Sequence, residues 1–328
     1  MADTTLARAQ GGDGDAFREL IDPYRRELQV HCYRILGSAQ DAEDVLQEAL
    51  LSAWRSIGSF DGGSLRAWLY RIATTRSLNH LRDQSRRPRT AVPAWLSPAV
   101  HPVPAEDPSW LEPYPDALVD EATPGPEARY EARESIALSF VSALQRVPAQ
   151  QRAVLVLRDV LGFPAAEAAD VLGTSTASVN HALLRARGTF RAPEDRDLVP
   201  LPHSTEERAV AGRFVEAFES VDIDQVVSLL TEDARFAMPP EPIEVHGRSG
   251  VGEFVSSLPF WGRPLKLVAT RANGQPAFGY YVLEQATSVF QGNGLLVLAL
   301  HNDRVASITR FGGPGVLARF GLPTALQP

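Results

Sequence analysis

The sequence predicts a multidomain chain in which two all-α helical blocks, the second a helix-turn-helix, precede a C-terminal α+β domain. Three observations carry this. Apolar residues recur at three- and four-residue spacing over 16–89 and 129–191, alternating strand-like runs appear only beyond the second block, and a proline-rich acidic stretch separates the two blocks. A chain of 328 residues has room for two or three such domains. The expected boundaries are 8–89 for the first block, 90–128 for the linker, 129–192 for the second block and 205–323 for the third domain.

The first block reads as three helices, FRELIDPYRRELQVHCYRILG, SAQDAEDVLQEALLSAWRSI and SLRAWLYRIATTRSLNHLRDQSRR. Ser38 and Ser64 are plausible N-caps, and Gly37, Gly58, Gly62 and Gly63 punctuate the block. In the middle helix Ala42, Val45, Leu46, Ala49 and Ala53 share the apolar face, so Asp41, Asp44, Gln47 and Glu48 project elsewhere. Taken alone, such an acidic face is ordinary solvated surface. The third helix carries Arg66, Arg71, Arg76 and Arg82, with Arg86, Arg87 and Arg89 after it and Phe60, Trp68, Tyr70, Thr75 and Asn79 interleaved. Arginines with aromatics suit single-stranded nucleic acid, although Trp68, Leu69 and Ile72 also fit a helix core. Cys32, the single cysteine, excludes a disulfide or cysteine metal cluster within one chain and reads as a core residue.

The second block contains FPAAEAADVLGTSTASVNHALLRAR. Ala165, Ala169 and Leu172 share one helical face, and Val179, Leu183 and Ala186 repeat the pattern after a break. Gly173 suits a left-handed C-cap, and Ser175 or Thr176 an N-cap. This is a helix-turn-helix outline. With the apolar positions turned inward, Ser178, Asn180, His181, Arg185 and Arg187 face out with no carboxylate among them, and an exposed helix of this kind can enter a major groove. An ordinary helical hairpin with solvated arginines has the same pattern.

A net charge of -8 argues against binding nucleic acid by bulk electrostatics, so DNA contact must be local. Residues 91–125 hold six acids and neither lysine nor arginine, and Lys266 is the only lysine of the chain. No apolar run approaches a membrane span, and MADTTLARAQGGDGDAF lacks the plan of a signal peptide, so no membrane association and a cytoplasmic home are expected.

Beyond APEDRDLVPLP, two amphipathic helices in EERAVAGRFVEAFESVDIDQVVSLLTEDARFAMPP lead to the strand-like ARFAM, LKLVATRA, AFGYYVLEQ, LLVLALHN and RVASITRF. Asn302-Asp303 is a hairpin signal, and the order predicts a curved antiparallel sheet following the helices.

DAEDVLQEALLSAW, FDGGSLRAWLYRIATTRSLNHLRD and LQRVPAQQRAVLVLRDVLGFPAAEAADVLGTSTASVNHALLRAR together resemble the extracytoplasmic-function group of bacterial sigma-70 factors, covering most of 16–191. The resemblance implies a first domain that grips the polymerase beta-prime clamp through Asp41, Asp44, Gln47 and Glu48. It implies that Asp61, Ser64, Arg71, Thr75, Asn79 and Arg82 hold the opened -10 element. It also implies that Ser178, Asn180, His181, Arg185 and Arg187 read the -35 element, with the beta flap as a further partner. Many relatives carry basic residues where Asn180 and Ala182 stand, so unaided DNA binding should be weak.

The linker TAVPAWLSPAVHPVPAEDPSWLEPYPDALVDEATPGPEA reads as an extended tether, with Trp95, Trp110 and Tyr114 as sticky points. Its WLEPYPD, with Trp110, Glu112, Tyr114 and Asp116, resembles a motif in sigma factors that carry an extra C-terminal domain. Residues 205–323, with TEDARFAMPPEPIEVHGRSGVGEFV, resemble the SnoaL-like members of the cone-shaped NTF2-like superfamily. That resemblance implies control in cis by contact of this domain with the sigma domains or their linker, with Phe311, Gly312, Gly313, Pro314, Phe320 and Leu322 as docking elements. A small apolar ligand in the cone is a further expectation.

His246, His301, Asp303 and Glu244 invite an enzymatic reading, but no acid-base pair stands at recognisable spacing. The expectation is a promoter-specificity factor with no catalytic residue, metal or cofactor. The alternatives are a helix-turn-helix regulator and a bifunctional protein with a ligand-binding or isomerase-like third domain.

Overall fold

The computed structural model describes residues 2–84, 111–120, 135–190, 199–241 and 243–328. The chain divides into two compact units, Met1–Pro88 with Ala117–Pro193, and Arg89–Asp116 with Glu194–Pro328. Arg86, Arg87, Arg89, Trp95 and Trp110 lie outside the described residues.

The first unit is helical. Helix α1 (Ala2–Gln10), which the apolar spacing did not announce, precedes α2 (Gly14–Leu36), α3 (Ala39–Ser56) and α4 (Leu65–Gln84). Each start has a local cause. Asp13 accepts from the backbone N–H groups of Asp15 and Ala16, Ser38 from Asp41, and Ser64 from Ala67, satisfying donors that a helix cannot pair internally. Helix α2 ends at Gly37, whose φ of 75° closes a left-handed cap. The second block supplies α5 (Leu138–Gln145), α6 (Ala149–Leu155) with a π turn over Val156–Val160, α7 (Ala165–Leu172) and α8 (Thr176–Thr189). Gly173 at φ 61° and Ser175, which accepts from the Ser178 N–H, form the expected break between α7 and α8.

The two blocks share one interior. The buried Arg152 of α6 donates to the carbonyls of Ile35, Gln145 and Val147 and to the Gln145 side chain. Arg34 reaches Ser135. An aromatic ladder runs from His31 to Tyr70 (4.8 Å between centroids) and from Tyr70 to Phe163 (5.2 Å). The Arg66 guanidinium lies over Tyr70 and Phe163 and pairs with Glu27 at 3.2 Å. Arg66 is therefore a packing residue, and Arg76, which donates to Ser52, is also held inside the block. Trp68 packs on Phe60 at 5.2 Å, in keeping with its helical spacing. Cys32 is wholly buried, which pushes its thiol up to about 12.

The second unit is α+β. Helices α9 (Thr205–Glu219) and α10 (Ile223–Ser228) precede β1 (Leu230–Ala237) and β2 (Glu244–His246). Helix α11 (Arg248–Ser256), strands β3 (Leu265–Ala272), β4 (Gln275–Glu284), β5 (Val289–His301) and β6 (Arg304–Gly312), helix α12 (Gly315–Arg319) and β7 (Ala325–Leu326) follow. The sheet order is β2-β1-β6-β5-β4-β3, with β7 on β5, and the sheet does not close. It is not wholly antiparallel as the strand order suggested, because β1 runs parallel to β6. The turn at Asn302 (φ 52°) and Asp303 joins β5 to β6 as the sequence predicts. The core on the inner face joins Phe214, Phe218, Phe236, Phe254, Phe278, Tyr280, Leu296 and Ile308. A satellite cluster of Tyr281, Phe290 and Leu317 is covered by Leu322 and Leu326. Phe311 is buried and Leu322 packs on that cluster, so two of the expected docking residues serve this unit's own interior.

His31 generates a prediction. Its Nε2 lies 2.8 Å from Thr74 Oγ1, and burial, with Arg34 and Arg66 adding to it, pushes the imidazole down from 6.5 to about 3. The unfolded chain therefore binds a proton that the folded chain refuses, and stability falls as pH drops below the unfolded value toward the folded one. Urea unfolding between about pH 7 and 5 should show a loss of up to about 1.4 kcal/mol per pH unit from this group, flattened in His31→Gln. Parallel curves for the two proteins would remove His31 as the cause.

Candidate polymerase and nucleic-acid interfaces

On α3 the apolar face is buried as its spacing requires, and Asp44, Gln47 and Glu48 are exposed on the other side. Asp41 differs from them. It is half-buried and sits 3.3 Å from His80 Nε2 of α4, so part of its charge is spent inside the block. Leu51 is 55% exposed, one turn beyond Gln47 and Glu48 on the same helix. Reasoning from apolar spacing missed it because that spacing singles out charged residues, not an apolar one on the wet side.

The loop before α4 is set by its own polar groups. Asp61 accepts from the Gly63 N–H at 3.3 Å and Ser64 caps the helix, leaving both residues at the surface. Along α4, Arg71, Thr75 and Arg82 are exposed and Asn79 is half-buried. These side chains follow one another down one helix, an arrangement that offers cations and hydrogen-bonding groups to a phosphate chain and to an unstacked base.

On α8, Val179, Leu183 and Ala186 are buried and Asn180, His181 and Arg185 are exposed. Ser178 is tied to the cap, its Oγ 2.9 Å from that of Ser175. Arg187 is engaged too, pairing with both carboxylate oxygens of Asp159 at 2.8 and 2.7 Å, which raises its already high pKa. Leu184 is 72% exposed beside Asn180, His181 and Arg185, an apolar group suited to a thymine methyl that the helical period gave no reason to pick out.

The linker motif has a defined seat in the second unit. Asn273 and Gly274, both at positive φ, turn β3 into β4. This Asn-Gly pair is a strong hairpin signal that the strand reading passed over. Tyr114 and Asn273 exchange two hydrogen bonds, N–H to Asn273 Oδ1 at 2.8 Å and Asn273 N–H to the Tyr114 carbonyl at 2.9 Å. Pro115 bridges to Ala272. Asp116 accepts from the Gly274 N–H at 2.7 Å and from Arg271 Nε at 3.3 Å, while Arg271 also pairs with Glu207 at 2.6 Å. Leu111, Tyr114 and Asp116 are buried and Glu112 is half-buried. Residues 111–116 are thus a docked segment, and Asp116–Asp120 forms one helical turn in what reads as a tether.

The residues that invited an enzymatic reading fall on two different elements, β2 and the β5–β6 turn. Glu244 and His246 do meet, at 3.2 Å, contrary to the expectation that no such pair forms, since positions two apart on a strand share a face. They sit on the edge strand β2, with 42% of the His246 side chain exposed. His301 ends β5 and Asp303 lies in the β5–β6 turn.

The chain matches the family models for Sigma-70 region 2 over residues 20–87, Sigma-70, region 4 over 137–189, and the SnoaL-like domain over 211–308. It is 41% identical over 320 residues to the ECF RNA polymerase sigma factor SigG of Mycobacterium tuberculosis, spanning 94% of this chain and 85% of that protein. It belongs to the ECF sigma factors. It is also 32% identical over 246 residues to the ECF sigma factor SigJ of the same organism, spanning 73% of this chain and 72% of that one. The crystal structure of SigJ superposes with a TM-score of 0.62 at 24% identity, covering 93% of this chain and 99% of that chain, a likeness of fold. The protein is therefore a sigma factor fused to a SnoaL-like domain, and no helix among its described residues is long and apolar enough to cross a membrane.

The Arg187–Asp159 pair offers a test of whether Arg187 reaches DNA. In Asp159→Asn the guanidinium is released and one negative charge beside it is lost. Binding of the full chain to duplex DNA at low salt should tighten by about two- to fivefold, measured by fluorescence anisotropy. Unchanged affinity would mean that Arg187 does not reach the duplex.

Proposed function

We propose that this ECF sigma factor engages core RNA polymerase through the acidic face of α3 and reads its promoter with two separate helical surfaces, under control in cis by its third domain. Its domains are 8–89, 129–192 and 205–323, joined across 90–128. Asp44, Gln47 and Glu48, with Asp41 at their edge, meet a basic coiled coil of the beta-prime clamp, and the second helical domain meets the beta flap. Asp61, Ser64, Arg71, Thr75, Asn79 and Arg82 hold the opened -10 strand. Ser178, Asn180, His181, Arg185 and Arg187 lie on the -35 element. The observation that carries the reading is the 41% identity to an ECF sigma factor along 94% of the chain. Support for the finer roles comes from the exposure of Asp44, Gln47, Glu48, Arg71, Thr75, Asn180, His181 and Arg185 on helices whose opposite faces are buried.

A sigma factor supplies recognition and leaves RNA synthesis to the polymerase, so the work of these residues is binding. Phosphate contacts give register and base-edge contacts give sequence. The two helical blocks are packed together through Arg152 and the Tyr70–Phe163 contact, and reading two promoter elements at once requires them to part. Polymerase supplies the energy for that separation. The third domain acts through the linker, because a segment seated on the β3–β4 hairpin through Tyr114 and Asp116 is withheld from other partners.

The test is pull-down of core polymerase followed by promoter-dependent transcription. Asp44→Arg, a change at an exposed position, should weaken polymerase binding by about tenfold or more with the fold intact. Wild-type affinity in the folded variant would remove α3 from the interface. Removing residues from Thr205 onward should change transcript yield while polymerase binding persists. A truncated protein that transcribes like the full chain would end the case for control in cis.

A further inference from the structure

Strand β6 has an irregularity between Val305 and Ser307 and alternates beyond it, so Ile308 and Arg310 share its inner face. Ile308 is wholly buried in the apolar core of the second unit, and Arg310 is the next inward residue, opposite the buried Leu296 of β5. A guanidinium on an apolar wall has lost water and needs a partner. Two other half-buried arginines of this unit have one: Arg271 faces Asp116 and Glu207, and Arg248 faces Glu232. Arg310 forms no ion pair among the described residues. Its Nε donates to Tyr280 Oη at 2.7 Å, and Nη1 lies 3.8 Å from the Met238 sulfur, a weak acceptor. Glu241 bears electrostatically on Tyr280 without pairing with Arg310.

The surroundings form a receptacle. A cavity of about 170 Å³ opens beside Arg310, lined also by Leu258, Pro259, Phe260, Arg263 and Asn293. The guanidinium carbon lies 5.7 Å from the Phe260 ring centre and 5.5 Å from that of Tyr280, and the two rings are 5.2 Å apart. Arg263, on the rim, adds a second positive charge. Asn293 is the extra residue of a β-bulge, since Tyr280 pairs with Gly294 and Tyr281 with Gly292. Bulges of this kind re-aim a side chain, here toward the cavity. Gly294 makes the bulge possible, because a Cβ there would stand 2.1 Å from the Phe311 carbonyl oxygen.

We infer that this cavity is a binding site for a small planar carboxylate, with the acid on Arg310 and the apolar body against Phe260 and Leu258. The guanidinium fork matches a carboxylate through paired N–H donors. Tyr280 Oη accepts from Arg310 Nε and so holds the guanidinium in place from behind. The cavity volume admits a single ring, and the guanidinium adds a charged end to the small apolar ligand expected there. This site lies beyond promoter recognition and would give the SnoaL-like domain an input of its own.

Benzoate is the probe, added to the full chain and followed by ligand-observed NMR, with the melting curve of each variant recorded alongside. Benzoate should bind with a dissociation constant on the order of millimolar, as expected for so few atoms. Benzamide and inorganic phosphate should compete at least about tenfold more weakly. Arg310→Gln should weaken benzoate at least about tenfold, and Tyr280→Phe, which keeps the ring, by about threefold. If Arg310→Gln fails to melt cooperatively, Arg310→Lys and Tyr280→Phe decide: a loss in both supports the site. No binding of benzoate to the folded wild type up to about 20 mM, equal binding by the folded Arg310 variant, or equal competition by phosphate or benzamide would overturn it.

Discussion

The helical unit depends on one buried cation. Arg152, on α6, collects carbonyl groups from the ends of two helices, Ile35 near the end of α2 and Gln145 at the end of α5, together with Val147 between α5 and α6. Helix C-termini leave carbonyls with no internal partner, and five N–H groups in a fixed fork satisfy several at once. Gly37 completes the junction: a Cβ there would lie 2.8 Å from the Gln145 side chain, and its left-handed backbone favours glycine in any case. Burying a charge is costly, and the cost is offset only while every one of those acceptors stays in place. The two blocks that match separate sigma regions therefore fold against each other instead of as beads on a string.

The same device recurs in the second unit. Arg271 joins Glu207 at the start of α9, the carbonyl of Gly274 and the carboxylate of Asp116, so that one side chain fixes a helix, a turn and the incoming linker. Positive charge in this protein is almost all arginine, and its geometry explains why it serves: a planar fork holds two or three partners at defined angles where an ammonium would hold them loosely. Arg310 is then conspicuous, half-buried with no acid paired to it among the described residues.

Much of the fold was legible because its causes are local. The break between α7 and α8 follows from Gly173, Ser175 and the apolar spacing around them, and β3 and β6 begin where strand-like runs begin. The outward faces of α3 and α8 could be read by elimination once the buried faces were assigned. What escaped depends on distant partners. Asp41 looks like its neighbours until His80 is brought beside it, and Arg187 looks free until Asp159 arrives. HGRSGVG, with three glycines, gives no local sign of a helix yet contains the start of α11, where Gly252 lets the helix press on Val227 with no room for a Cβ. WLEPYPD looked like tether because the sheet edge that receives it is formed more than a hundred residues later.

The seat of Leu111–Asp116 has a thermodynamic consequence that runs in both directions. Any partner that needs this segment unseated is weakened by the factor that measures how far the seated form prevails, and binding of that partner must unseat the segment by the same factor. The β3–β4 hairpin would then lose the Tyr114 carbonyl from the Asn273 amide and the Asp116 carboxylate from the Gly274 amide. Those two backbone amides would exchange with solvent faster. A turn in the third domain thus reports on events at the linker without touching whatever the linker has joined.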